Sequence, residues 1–247
     1  MRGHGLCVGV AAATCALTAI AVSACGGGAA PKNRAETARH AQNRAGSRCE
    51  SDRRPSPAAG GRVVLMSCID PSGETHFRAR VVASGSVVPL AAGDDVEVYK
   101  LQINGGMLAY GLSVLEAAAD VSDQYVVSRS TTGRKRRVSQ VGASGDGARG
   151  VPPEVRNLDA SPDDVVVTTR GSLAWIASGY DAPGRRHRIV MKADASGVAL
   201  LAHEGPLGHG MTFTIGKRLS LAGTTVAWRS YGRPMSAVIT DRPARPG

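Results

Sequence analysis

Aromatic side chains are scarce in this sequence, whose 247 residues include two Trp, two Phe and five Tyr. A core of this composition depends on Val, Leu, Ile and Ala, which bury less area per side chain than an aromatic ring. Acidic residues are also few, because 20 Asp and Glu stand against 30 Lys and Arg and leave a net charge of +10. This charge favours anionic partners such as lipid headgroups or cell-wall polymers. The length is enough for one domain with a sizeable core.

The common signatures of a catalytic centre are missing. The chain has no Gly-x-Ser-x-Gly motif, which in many hydrolases exposes a nucleophilic serine on a sharp turn. A helical zinc-protease motif beginning at His203 would need its second histidine where Leu207 stands, and His209 comes too late. Gly205 and Pro206 also prevent a helix there, so we interpret the histidines as loop residues. We predict no enzymatic activity and no bound metal or cofactor.

The N-terminus has the composition of an export signal. Arg2 carries a positive charge close to the start, an apolar run covers residues 6–22, and small residues and three glycines follow. The run is shorter than the about 20 residues that a membrane-spanning helix needs, and the glycines would break a helix there. An uncleaved membrane anchor is the alternative interpretation.

The segment closes with Val22-Ser23-Ala24-Cys25, which resembles the lipobox of bacterial lipoproteins. The resemblance implies transfer of diacylglycerol to the Cys25 sulfur and cleavage after Ala24, so that residues 1–24 form the signal peptide. Two or three acyl chains hold a protein on a membrane more firmly than one. We therefore expect an exported protein, lipid-anchored to the cell membrane through Cys25 and facing outside the cytoplasm, with no nucleic acid among its partners. A plain signal peptide with a chance cysteine is the alternative.

Residues 25–61 almost lack large aliphatic side chains, which predicts a basic, solvated linker. If the lipoprotein resemblance holds, Cys7 and Cys15 leave with the signal peptide and Cys25 carries lipid. Cys49 and Cys68 then remain, and in an oxidising compartment we expect them to form a disulfide. Two free buried thiols are the alternative. Such a disulfide would attach the linker to the first structural unit of the following domain.

From residue 62 onward, short β-branched runs alternate with Gly, Asp, Asn and Pro, which predicts an all-β domain over residues 62–247. Two landmarks recur about every 50 to 60 residues, which is near the size of a four-stranded propeller blade. The first is a small residue followed by an aromatic one after a strand and a glycine turn, at Ala109-Tyr110, Ala174-Trp175 and Ala227-Trp228. The second is Ala-Ser-Gly, at residues 83–85, 143–145 and 195–197.

Ser161-Pro162-Asp163-Asp164 is similar to the Ser-Pro-Asp-Gly turn of Tol-type propellers, and the repeat resembles Trp-Asp-repeat-like propellers of high-GC Gram-positive bacteria. The turn occurs once, Asp164 replaces its glycine, and no Trp-Asp dipeptide closes a unit. The resemblance implies a β-propeller-like domain of about four small blades, with a β-sandwich of two sheets as the alternative. The first and last units each show three strands, so we expect the ring to close by combining strands from both ends.

These features predict a binding module at the cell envelope, attached to the membrane through Cys25. We expect a monomer that binds an anionic cell-wall polymer or another envelope protein. The alternative is an envelope hydrolase acting on glycan or peptide, whose acids would be carboxylates at the propeller mouth. It requires two carboxylates converging in one cleft. The candidates are Asp94, Asp95, Asp163 and Asp164.

Overall fold

A computed structural model describes residues 48–51, 62–116, 121–133, 136–142, 155–156, 158–208 and 210–241. The predicted signal peptide, the predicted lipidation site Cys25 and most of the predicted linker lie outside these residues, as do His209 and the Ala-Ser-Gly landmark at 143–145. Within the described part of the chain, no helix is long and apolar enough to cross a membrane.

The described residues form four antiparallel sheets in chain order, which confirms the all-β prediction and does not fit a sandwich of two sheets. Sheet A contains β1 (Arg48–Ser51), β2 (Val63–Ile69), β3 (Thr75–Val81) and β4 (Val87–Ala92). Sheet B contains β5 (Val96–Asn104), β6 (Met107–Glu116), β7 (Val121–Ser130) and β8 (Arg136–Gly142). Sheet C contains β9 (Asp159–Val167), β10 (Leu173–Tyr180), β11 (Arg186–Asp194) and β12 (Gly197–Leu207). Sheet D contains β13 (Ser220–Ala222), β14 (Thr225–Ser230) and β15 (Arg233–Val238).

Tight glycine turns join neighbouring strands, so each sheet pairs its strands in sequence order. Between β5 and β6, Gly105 and Gly106 have φ values of 52° and 83°, a region that side-chain-bearing residues rarely adopt. Ala-Ser-Gly occupies the turn between the third and fourth strands in sheets A and C. In sheet B the corresponding turn is Thr131-Thr132-Gly133, and the predicted third copy at 143–145 follows β8 instead. Sheets A, B and C therefore repeat the same order of four strands. The Ala-Ser-Gly landmark does not follow this repeat in sheet B, where it comes one strand later than in sheets A and C.

Three apolar cores lie between successive sheets, because side chains alternate between the two faces of a strand. Tyr110 packs in the core between sheets A and B, whereas its neighbour Ala109 packs between sheets B and C. In the same way Trp175 faces sheet B, while Ala174 packs between sheets C and D with Trp228. In sheets B, C and D, the aromatic landmark residue lies on the second strand of its sheet and packs against the preceding sheet.

Strand β1 lies inside the range predicted to be linker and supplies the fourth strand of sheet A. Cys49 stands directly opposite Cys68 in the pairing of β1 with β2, and the two form a disulfide. The disulfide holds β1 against the edge of sheet A, so this edge is covered by a strand from the N-terminal side. Among the described residues, sheet D keeps three strands and the predicted exchange of strands between the two ends is not seen.

The segment after β15 is fastened to sheet C. The backbone N–H of Thr240 donates to Asp194 Oδ2 at 2.8 Å, and the carbonyl of Thr240 accepts the N–H of Ala195 at 3.0 Å. The hydroxyl of Thr168 donates to Asp241 Oδ1 at 2.6 Å. These bonds connect the C-terminal side of sheet D to two turns of sheet C, which fixes the last sheet against its neighbour.

Candidate functional site

A polar cavity of about 310 Å³ lies where segments of all four sheets come together. Sheet A contributes Arg62, which precedes β2, and sheets B and C contribute the ends of β5 and β9. The segment that leads into β13 completes the wall. The lining residues are Arg62, Gln102, Ile103, Asn104, Asp164, Val166, Val167, Arg218, Leu219, Ser220 and Leu221. First and last sheets therefore share one cavity.

Asp164 connects three of the four sheets at this cavity. Its Oδ2 accepts the backbone N–H of Leu219 at 2.8 Å, and its Oδ1 accepts the N–H of Val165 at 3.0 Å and an amide hydrogen of Gln102 at 3.4 Å. Burial raises the pKa of this carboxyl above its ordinary value, against the lowering effect of the hydrogen bonds and of the Arg218 charge. The carboxylate is thus occupied by protein donors.

A local irregularity of β9 sets the position of Asp164. Ile176 pairs with Asp164 and Ala177 pairs with Pro162, so one extra residue, Asp163, is inserted into β9. Such a bulge changes the direction in which the neighbouring side chains project. The Ser-Pro-Asp-Asp segment, which the sequence analysis interpreted as a turn, is therefore part of a strand.

The remaining polar groups give the cavity a positive character. Arg62 and Arg218 each bring a guanidinium, which is always charged and donates in a fork that matches carboxylate and phosphate oxygens. Asn104 donates to the carbonyl of Val167 at 2.9 Å and so joins sheet B to sheet C beside the cavity. Two cations against one carboxylate make this arrangement suitable for binding an anion.

The four carboxylates proposed for a hydrolase have different surroundings. Of these four, Asp164 alone lines the cavity. Asp163 accepts the hydroxyl of Ser178 and lies 3.5 Å from Arg188 Nε. Asp94 accepts the backbone N–H of Thr75 at 3.1 Å, and Asp95 is exposed in the turn before β5. Their contacts are those of turn and strand residues.

The aromatic landmarks are core residues. Tyr110 and Trp175 are fully buried, and Trp228 is nearly so. The Tyr110 hydroxyl donates to the carbonyl of Leu90 in sheet A at 3.1 Å, which satisfies its polar end inside the core. A buried ring cannot stack on a sugar, so these residues hold the sheets together.

Sequence reasoning missed both arginines of the cavity and the partner of His203. Arg62 follows two glycines and Arg218 follows Lys217, and nothing in either neighbourhood marks the two arginines as a pair. His203 lies beside His187, a residue of the adjacent strand that shares no motif with it. Contacts of this kind depend on strand pairing, which a local motif does not report.

No protein-family model matches the chain, and no curated protein is significantly similar to it. The resemblance of residues 22–25 to a lipobox and of the repeat to Tol-type propellers therefore stays a prediction from the motifs alone. The geometry of the cavity is independent of both resemblances.

Proposed function

We propose that this protein is an exported, membrane-anchored binding module whose ligand site is the cavity shared by the four sheets. The observation that carries the proposal is that two arginines, Arg62 and Arg218, line one cavity of about 310 Å³. The residues come from opposite ends of the domain, so the site requires the assembled fold. We further propose that the sheets form a β-propeller-like ring of about four blades, which the shared cavity supports.

The chemistry of the cavity favours an anionic group as the ligand. Asp164 already accepts three hydrogen bonds from the protein, and two arginines stand against this one carboxylate in the lining. Hydrogen bonds between a guanidinium and a phosphate or carboxylate are about twice as strong as neutral ones. The volume is at the lower end of the about 300–1,000 Å³ that ligand pockets occupy. A repeating unit of an anionic cell-wall polymer fits this size better than a large folded ligand.

The envelope location is argued from the N-terminal sequence and the cysteines. Residues 22–25 carry the lipobox pattern, and the basic residues of the following linker suit a position near anionic headgroups. The Cys49–Cys68 disulfide is the kind of bond that persists in an oxidising compartment. A membrane-anchored protein that binds its ligand without converting it accounts for these features together.

Calorimetric titration with polyglycerol phosphate tests the ligand class. We expect saturable binding, and we expect Arg218→Gln to weaken it at least about tenfold, because one charge-assisted hydrogen bond contributes about 1.5–3 kcal/mol. Arg233→Gln is the matched control, since it removes the same charge from an exposed position of β15 outside the cavity. Equal weakening by both substitutions would mean that the polymer responds to net charge alone, which would contradict the cavity as the site.

A further inference from the structure

A second cavity, of about 680 Å³, borders the cavity that Arg62 and Arg218 line. Asn104 and Leu221 belong to the lining of both cavities. The other walls of the second cavity are the turn between β9 and β10, the turn between β13 and β14, and residues 238–241. Because two hairpin turns form its walls, we name it the turn cavity and the first one the arginine cavity. A ligand held in the arginine cavity can extend into the turn cavity.

The lining of the turn cavity differs in chemistry from that of the arginine cavity. Three threonines line it, Thr169, Thr224 and Thr240, together with one cation and one anion, Arg170 and Asp241. The two charges balance, whereas two arginines stand against one carboxylate in the arginine cavity. A hydroxyl both donates and accepts, a guanidinium donates and a carboxylate accepts. Such a lining matches an uncharged group that carries several hydroxyls.

The bonds within the protein leave polar atoms of this lining available to a ligand. The backbone of Thr240 is occupied, since its N–H donates to Asp194 at 2.8 Å and its carbonyl accepts from Ala195 at 3.0 Å. Asp241 Oδ1 accepts the hydroxyl of Thr168 at 2.6 Å. In the described part of the chain, neither Asp241 Oδ2 nor the hydroxyl of Thr240 has a hydrogen-bond partner. These two groups can therefore bind hydroxyls of a ligand.

The walls of the turn cavity are fixed before a ligand arrives. The hydroxyl oxygen of Thr168 accepts the N–H of Ser172 at 3.1 Å while it donates to Asp241, which joins the turn between β9 and β10 to the C-terminal segment. The turn between β5 and β6 lies against Thr169, because a Cβ atom at Gly105 would stand 2.6 Å from Thr169 Cγ2. A preorganised site loses less conformational entropy when it binds.

We propose that the ligand is a polyol phosphate, whose phosphate binds in the arginine cavity and whose hydroxylated unit binds in the turn cavity. Asp241 and Thr240 would accept and donate hydrogen bonds to its hydroxyls, and Leu221 and Ile239 would contact its carbon chain. The volume of the turn cavity lies within the about 300–1,000 Å³ of ligand pockets. This inference rests on the proposed function, because it takes the arginine cavity as the site of the anionic group.

Calorimetric titration of the purified full-length protein compares polymers of matched length. Inorganic polyphosphate has no hydroxyls along its chain, polyglycerol phosphate has some and polyribitol phosphate has more. We expect affinity to rise in this order, with polyribitol phosphate bound at least about tenfold more tightly than polyphosphate, because several hydrogen bonds are added. Equal affinities overturn the inference, and if Arg218→Gln still weakens every polymer, the proposed function stands without it. If no polymer binds, both fail.

Two substitutions test the turn cavity itself. Asp241→Asn keeps an oxygen that can accept from Thr168 and should weaken polyribitol phosphate about tenfold. Loss of a negative charge would by itself favour an anion, so weaker binding indicates the loss of an acceptor for hydroxyls. Thr240→Val, which keeps the backbone bonds, should weaken it about threefold. Both substitutions should leave the affinity for polyphosphate within about twofold of that of the unmodified chain.

The matched control is Asp95→Asn, which removes an exposed carboxylate outside both cavities and should leave the affinity for polyribitol phosphate unchanged. Far-ultraviolet circular dichroism checks that each variant is folded. The inference is overturned if Asp241→Asn and Thr240→Val bind polyribitol phosphate as tightly as the unmodified chain. It is also overturned if they weaken polyphosphate equally, since the effect would then not depend on hydroxyls.

Discussion

Asp164 Oδ2 accepts the backbone N–H of Leu219 at 2.8 Å, which joins sheet C to the segment that leads into sheet D. The same carboxyl group accepts from Val165 and from Gln102 of sheet B. One side chain therefore connects three sheets at the wall of the cavity. The side chain that joins these sheets therefore also lines the proposed ligand site.

Removing this carboxylate should destabilise the fold. Asp164→Ala leaves the N–H groups of Leu219 and Val165 without their acceptor, and an unsatisfied buried donor costs about 1–3 kcal/mol. We expect the free energy of unfolding in urea to fall by about 2–4 kcal/mol. Asp95→Ala, which removes an exposed carboxylate from the turn before β5, should change it by less than about 0.5 kcal/mol. Equal effects of the two substitutions would contradict the connecting role of Asp164.

Acid should weaken the attachment of the C-terminal segment. Burial alone would raise the pKa of Asp194, but hydrogen bonds from Lys192, Ser196 and the N–H of Thr240 lower it from 3.8 to about 2. Because the folded-state pKa is the lower one, the stabilisation is present above about pH 4 and is lost as the pH falls toward 2. Asp194→Asn should therefore lower the free energy of unfolding by about 1–2 kcal/mol at pH 6. The difference in free energy of unfolding between the unmodified protein and Asp194→Asn should shrink at pH 2. If that difference is the same at pH 6 and pH 2, the ionisation of Asp194 does not contribute to stability in this way.

The disulfide should stabilise sheet A. Cys49 and Cys68 are 19 residues apart in the sequence, and closing a loop of this size contributes about 3 kcal/mol. Cys49→Ser should lower the free energy of unfolding by about that amount, and reductant should then have no further effect. Cys49 is the better position to change because Cys68 is buried in the core. If reductant leaves the stability of the unmodified protein unchanged, the bond does not contribute as proposed.

Attachment to the membrane is expected to depend on Cys25. In a bacterial host, the chain should incorporate labelled palmitate and sediment with membranes, and Cys25→Ser should abolish both. Cys15→Ser changes a cysteine of the predicted signal peptide and should leave the labelling intact. Labelling that survives Cys25→Ser, or that disappears with Cys15→Ser, would be inconsistent with the lipobox interpretation.

The sequence predicts most strands well because each has its own alternation of apolar and polar residues and a glycine turn at its end. It fails where pairing decides the outcome. Strand β1 has no apolar pattern of its own and becomes a strand by pairing with β2, opposite Cys68. Strand β9 begins at Asp159, earlier than the apolar run indicates, because a bulge at Asp163 lets polar residues continue the pairing with β10.

The candidate sites, too, are predicted poorly where strand pairing or sheet packing brings distant residues together. Of the cavity residues, Asp164 is marked by its Ser-Pro-Asp-Asp segment, whereas Arg62 and Arg218 line the same cavity only because the first and last sheets share it. His203 attracts notice beside His209 in the sequence, but its observed partner is His187 on the neighbouring strand. Short-range spacing identifies neither arrangement, since one results from the packing of sheets and the other from the pairing of strands within sheet C.

Nuclear magnetic resonance of the ¹⁵N-labelled protein, titrated with polyglycerol phosphate, tests the proposed ligand site most directly. Leu219 and Val165 report on the cavity because their N–H groups bind the carboxylate of Asp164. We predict that these two amide resonances shift saturably with added polymer, while the amide of Arg233 in sheet D stays within the noise. Shifts confined to exposed basic positions such as Arg233, with Leu219 and Val165 unmoved at saturation, would contradict the cavity as the binding site.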